Sequence, residues 1–302
     1  MFGALVAAAL AFTPADAHLA RETANGLVSR HTPRDGGTAA GHRAAVFIRD
    51  CAAAVGLESS VDRFSAETED GPAVFTNVEG VWRCGESEAP WVVFISHFDT
   101  KPGIACPGAN DGASTTGLLA ALGKCVVRER PHGVNVLFIW TDGEESRVAY
   151  GPKDGLWGSR HAAKKLKASG HKVLGVFCLD MLGDRELRIE IPANGSPALR
   201  RLVHRQARAL GLSGCVGDGS HAVRDDHQPF LDVGFRALDL IDFDYGSEPG
   251  LNDFWHTDRD TMDKVSEESL LTVGRLCGGI LGGLSDECPV KRPKGAEGHP
   301  AE

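Results

Sequence analysis

Four runs of strand length, Trp91-Val-Val-Phe-Ile-Ser96, Val134-Asn-Val-Leu-Phe-Ile-Trp140, Val173 to Leu179 and Arg236-Ala-Leu-Asp-Leu-Ile241, are almost continuously apolar. A strand with one face in water alternates apolar and polar residues, whereas a strand apolar at nearly every position needs cover on both faces. The intervals supply that cover. Ala113 to Arg128, Gly158 to Ala168, Pro197 to Leu210 and Ser266 to Leu284 all carry helix-like patterns. Strands alternating with helices predict an α/β fold, a three-layer α/β/α sandwich on a mostly parallel central sheet. Upstream, Thr38 to Gly56 has apolar residues at helical spacing, and two strand-like runs follow, Ser60 to Ala66 and Ala73 to Trp82. At 302 residues, 42% hydrophobic and 24% charged, the chain has the material for one large core.

The formal charge of −9 excludes the basic field that nucleic acid or an anionic membrane surface would attract, so neither is expected as a partner, and a monomer is the default. Residues 1 to 12 form an apolar run too short to span a bilayer, followed by Ala15-Asp16-Ala17. That pattern predicts a signal peptide over 1–17 and export to the periplasm or medium, although no Lys or Arg precedes the apolar run. A single catalytic domain is expected over 18–288. The tail 289–302, rich in Lys, Arg, Pro, Gly and Glu, reads as a disordered end. Eight cysteines suit an oxidising compartment. Cys84 and Cys106, which flank one strand, are the expected bridge, and Cys125, Cys178 and Cys277 read as small buried hydrophobes. Without a CxxC pair there is no basis for a thiolate zinc site.

Ligands of open α/β sheets bind beyond the carboxyl ends of the strands, and the chemically interesting residues lie there. His97 and Asp99 follow the first strand, Asp142, Glu144 and Glu145 the second, and Asp180 ends the third, while the fourth leads to His256. Asp111 closes the turn Gly108-Ala-Asn-Asp-Gly112. Taken singly, these residues have ordinary readings: Asp111 as a helix N-cap, the Glu pair as a solvated loop, His256 as a satisfied loop histidine. Together, Asp111, Glu145 and His256 make the oxygen and imidazole set of a catalytic zinc site with an open position. Successive side chains leaving a strand point in different directions, so Glu145 can face a metal while Glu144 faces a substrate on it. The net direction of the Glu144 pKa is not fixed by sequence, because a cation and nearby acids pull it oppositely.

In order along the chain, His97-Phe-Asp99, Gly108-Ala-Asn-Asp111, Asp142-Gly-Glu-Glu145, Asp180, Asp226-His227 with Pro229-Phe230, and His256-Thr257 resemble the motifs of the zinc aminopeptidase superfamily, which includes the glutaminyl cyclases. The resemblance spans residues 40 to 285. Asp154-Gly-Leu-Trp-Gly-Ser-Arg160, the pair Asp225-Asp226 and Trp255 before His256 are similar to the cyclase branch. Asn110-Asp111-Gly-Ala-Ser is instead similar to the aminopeptidases, while Tyr150, where animal cyclases carry Trp, and the insertion Gly246 to Asn252 depart from the animal cyclases. The cyclase reading implies one zinc on Asp111, Glu145 and His256, with Glu144, Asp225 and Asp180 catalytic. Trp255 and Tyr150 would wall the pocket, and peptide N-termini would be the substrates. The aminopeptidase alternative implies a second zinc on His97 and Asp180.

Overall fold

The computed structural model describes residues 10–149 and 151–288. Its centre is an eight-stranded sheet in the order β1-β2-β4-β3-β5-β8-β6-β7. These are Glu58–Thr68, Gly71–Trp82, Trp91–His97, Asn135–Thr141, Val173–Asp180, Ile189–Ile191, Val216–Asp218 and Ala237–Ile241 for β1 to β8. The four strands recognised as continuous apolar runs are the parallel centre, β4-β3-β5-β8. Antiparallel strands close it on both sides, β2 against β4 and β6 against β8.

The two faces divide β3 residue by residue. Val92 and Phe94 join the larger core with Val136, Phe138 and Phe177, whereas Val93 and Ile95 join a smaller one with Leu137, Ile139 and Val176. Five helices cover the larger face: α1 (Pro14–Arg30), α2 (Ala39–Ala54), α3 (Thr115–Glu129), α5 (Pro197–Ala209) and α7 (Glu267–Asp286). The smaller face is covered by α4 (Trp157–Ala168) and α6 (Gln228–Asp232). The expected three layers are present.

Two expectations meet a different structure. Cys84 and Cys106 are both free, as are the other six cysteines. Cys84 N–H donates to Asn135 Oδ1 at the start of β4, while Cys106 is buried beside Asp260 beyond the carboxyl end of β3. The seven residues of β3 separate the two by about 20 Å, too far for a bridge. Burial pushes the Cys106 thiol up to about 12, so it stays protonated. Of the expected leader, residues 1–9 lie outside the described residues, as does the tail 289–302. Residues 10–17 are packed. Thr13 and Asp16 form a reciprocal cap on α1, and Asp16 accepts two hydrogen bonds from Arg128 at 2.9 and 3.0 Å. Leu10 and Phe12 are buried in the core, so the Ala17 cleavage position falls inside the first turns of a docked helix.

α1 and α3 approach closely because Gly117 offers no side chain: a Cβ there would lie 2.1 Å from the Ala20 carbonyl oxygen and 3.0 Å from Ala24 N. Backbone cannot yield as a side-chain tip can. Gly117→Ala is therefore expected to destabilise the protein by about 1–3 kcal/mol, read as a lowered denaturant midpoint. An unchanged midpoint would refute this account of the contact.

Candidate active site

Each site residue is held by the backbone around it. Before α3 the chain makes a wide turn over Ala109–Ser114, in which Asp111 is extended at ψ 94° and Gly112 takes φ +90°. Gly112 is required there, since a Cβ would meet the His97 ring at 2.9 Å in a backbone conformation that favours glycine. Beneath the turn, the buried Asp260 carboxylate accepts N–H bonds from Asn110 at 2.7 Å and Asp111 at 3.2 Å, and the Tyr245 hydroxyl at 2.6 Å. Burial, then the Asp111 charge, pushes Asp260 up to about 6.

The Glu pair leaves β4 under similar control. One oxygen of Asp99 accepts the Glu144 N–H at 3.1 Å and the other accepts the Glu145 N–H at 3.2 Å. Asp99 also lies 3.6 Å from His97 Nδ1. His256 is held with φ +55°, a left-handed conformation that costs about 1 kcal/mol or more outside glycine and is tolerated where structure enforces it. Met181, directly after Asp180, has the same φ.

With these constraints Asp111, Glu145 and His256 converge, their ligand atoms lying within 4.8 Å of one another. His256 Nε2 is 2.9 Å from Glu145 Oε1 and 3.3 Å from Asp111 Oδ2. A second group, His97, Asp111 and Asp180, meets the same criterion and shares Asp111. His97 Nε2 stands 3.0 Å from Asp111 and 3.1 Å from Asp180. Three hard donors on one side and a shared carboxylate on the other fit a divalent metal and leave room for a second.

The electrostatics are those of buried acids in excess. Burial, then the Glu145 charge, raises Glu144 well above the usual carboxylate range. Burial also pushes Asp180 up to about 7 against the opposing pull of His97. Burial works against a charged His256, yet its hydrogen bonds to Asp111 and Glu145 hold it at about 9. Lys101 Nζ stands 3.4 Å from Glu145 Oε2 and donates to Ser146.

The site borders a cavity of about 250 Å³ walled by Ile241, Phe243 and Trp255, with Glu144, Asp180 and Asp225 facing it. Trp255 stacks on His256 with ring centroids 3.9 Å apart. Asp225 is buried, and its Oδ2 has no hydrogen-bond partner among the described residues. Asp225 does not cap α6, whose N-cap is His227 with no side-chain bond. Tyr150, the other expected pocket residue, lies outside the described residues. Sequence reasoning missed Asp260, Phe243 and the bracing role of Asp99. An acid four residues after His256 was the available signal for Asp260.

The convergence predicts that Asp111→Ala, Glu145→Ala and His256→Ala each lose most bound divalent metal, measured by elemental analysis. Full metal retention in any one of them would exclude that residue as a ligand. A metal needs the neutral imidazole, and the metal-free His256 gives up its proton near pH 9. Metal affinity should accordingly rise from pH 7 to about 9, with proton release visible by calorimetry in buffers of different ionisation enthalpy.

Comparison with known proteins gives a consistent picture. The model of peptidase family M28 matches residues 77–280. A glutaminyl-peptide cyclotransferase-like protein of Bos taurus is 28% identical over 73% of this chain, which spans 63% of that relative's length. A glutaminyl cyclase structure from an Acidobacteriales bacterium is 32% identical, covers 90% of this chain and 95% of its own, and has a TM-score of 0.83. A leucine aminopeptidase precursor from Bacteroides thetaiotaomicron, 20% identical over 91% of this chain and 99% of its own, reaches 0.79 and so shares the fold. With two thirds of its length matched by the family model, the chain belongs to peptidase family M28.

Proposed function

We propose that the protein is a zinc-dependent glutaminyl-peptide cyclotransferase, converting the N-terminal glutamine of a peptide to pyroglutamate with release of ammonia. The observation that carries this reading is Asp225, a buried carboxylate that stands in the cavity wall beside Glu144. Hydrolysis of a peptide bond needs no such group. Cyclisation does have a use for it, because an amide nitrogen must be held while it leaves as ammonia. The relatives named as cyclases add to this reading, and the aminopeptidase fold match does not oppose it.

A zinc ion on Asp111, Glu145 and His256 would supply Lewis-acid polarisation of the γ-amide carbonyl. The remaining work falls to side chains of this chain. The peptide's own α-amine attacks the γ-carbon, a C–N bond forms in the five-membered ring, and the bond to the amide nitrogen breaks. Glu144, as carboxylate, accepts a proton from the attacking amine and returns it to the departing nitrogen, leaving ammonia and an unchanged carboxylate. A raised Glu144 pKa suits that exchange, since it makes the carboxylate a better proton acceptor than an ordinary glutamate. Asp225, in the cavity wall, accepts from the leaving nitrogen, and Asp180 holds His97 through its ring Nε2. Trp255 and Phe243 keep water from the γ-carbonyl, where its attack would give glutamate instead.

A second reading, release of the N-terminal residue, is favoured by the second donor group His97, Asp111 and Asp180, which offers a place for another zinc. Mass spectrometry on a Gln-initiated peptide separates the two. Loss of ammonia means cyclisation, whereas a shortened peptide means aminopeptidase. Export rests on the apolar leader. If that leader is cut, the docking of Leu10, Phe12 and α1 favours a cut before Leu10, which N-terminal sequencing of exported protein reads directly.

Glu144→Gln should keep its zinc and lose activity by about 10²-fold or more. A rate within a few-fold of the parent would dismiss it as proton carrier. Asp225→Ser should cut cyclisation by about tenfold or more while zinc content holds, because the leaving nitrogen loses its anchor. Should Asp225→Ser cyclise at the parent rate, the main support for the cyclase reading is gone.

A further inference from the structure

Among the described residues lining the catalytic cavity, Arg224 alone carries a fixed positive charge. It is exposed, and its Nη2 donates to the Gly151 carbonyl at 2.8 Å. Arg160 reaches the same oxygen, Nη2 donating at 3.0 Å, while its Nη1 donates to the Pro152 carbonyl. Two guanidinium groups therefore meet on one neutral carbonyl, and among the described residues most of their N–H groups have no hydrogen-bond partner. The acids nearest Arg160 make their hydrogen bonds elsewhere: Asp154 accepts N–H bonds from Arg147, Val148 and Ala149, and Asp232 accepts from Gln228. Burial, then the like charge of Arg224, lowers the pKa of Arg160 below the ordinary arginine value, and the charges of Asp232 and Asp154 offset this in part.

The pair stands where a substrate must leave the cavity. A cavity of about 250 Å³ has room for one side chain of glutamine size, so the residues that follow pass over its lip. Arg160 also lines an open groove of about 700 Å³, whose α4 side carries Lys153 and Lys164 and whose hairpin side carries Glu67 and Glu69. Cationic character is concentrated on the wall that adjoins the lip, in a chain of net charge −9.

We propose that Arg224 and Arg160 form a carboxylate-binding lip, selecting peptides that carry an acidic side chain at the second or third residue after the N-terminal glutamine. The inference rests on the cyclase reading. The lip is solvated, so each arginine contributes modestly and the effect weakens with salt. The role is specificity: the lip holds the peptide beyond the reacting residue and takes no part in bond making.

The test uses the zinc-loaded enzyme and C-terminally amidated tripeptides Gln-Glu-Ala, Gln-Ala-Glu, Gln-Ala-Ala and Gln-Ala-Lys at low ionic strength. The better Glu peptide should exceed Gln-Ala-Lys by about tenfold in kcat/KM, chiefly through KM, and the gap should shrink in 0.5 M salt, taken as roughly ten times the ionic strength at which screening sets in. A non-amidated Gln-Ala distinguishes a terminal carboxylate from a side-chain one, and preference for it over both Glu peptides overturns the proposal. In the Arg224→Gln, Arg160→Gln double variant the gap should close to about twofold, while Arg224→Lys, which keeps the charge, should retain most of it. A gap that persists in the double variant, or parent rates equal for all amidated peptides, overturns the lip alone. If the parent cyclises none of them, the cyclase reading falls and the lip falls with it.

Discussion

The site depends on one buried carboxylate that belongs to no ligand set. Asp99, just past the end of β3, receives the backbone N–H groups of Glu144 and Glu145 on its two oxygens and faces the His97 ring on one of them. This fixes the backbone at both glutamates, and with it the aim of the two side chains, which reach the same cavity. The loop after β4 could otherwise turn by one residue and exchange the two roles. Arg34, fully buried, secures the neighbouring segment by donating to the carbonyls of Phe98, Pro107 and Gly108. The acid that aims the glutamates and the turn that carries Asp111 are thus tied to the same cation.

Around this frame the fold gathers Asp111, Glu144, Glu145, Asp180, Asp225 and Asp226, with fewer cations, among them His97, His256, Lys101, Arg34 and Arg224, to answer them. So many buried acids can persist only by holding protons, sharing them or facing a cation. The raised positions of Glu144, Asp180 and Asp226, the last two at about 7, express that shortage of positive charge. A divalent metal held by Asp111, Glu145 and His256 would relieve it where the donors converge. The deeper acids behind Asp225, including the fully buried Asp239, remain beyond its reach.

The sheet is common ground between a leucine aminopeptidase precursor and a glutaminyl cyclase, so the architecture does not discriminate between the two chemistries. On the proposed reading, discrimination would come from the wall of the cavity, which holds Asp225 beside Glu144 and where Trp255 stacks on His256. These residues sit on loops and at a short helix, which can change without disturbing the parallel strands beneath them.

Sequence alone determined the layers and the site's membership. Strands apolar at nearly every position had to be covered on both faces, and the acids and histidines lay at or beyond their carboxyl ends, so Asp111, Glu145 and His256 could be named before their distances were known. Short or atypical segments stayed illegible: β6 and β7 are three residues each, too short for a period, and the opening turns of α1 share their composition with an export leader. The Cys84 and Cys106 pairing failed because flanking a strand in sequence puts two residues at its opposite ends in space. Only the tertiary structure decided which carboxylate aims Glu144 and Glu145, that Asp260 underlies the Asp111 turn, and that Arg160 and Arg224, 64 positions apart, meet on one carbonyl. Such contacts join residues from separate elements, and their chemistry arises from distance and burial, which local pattern does not encode.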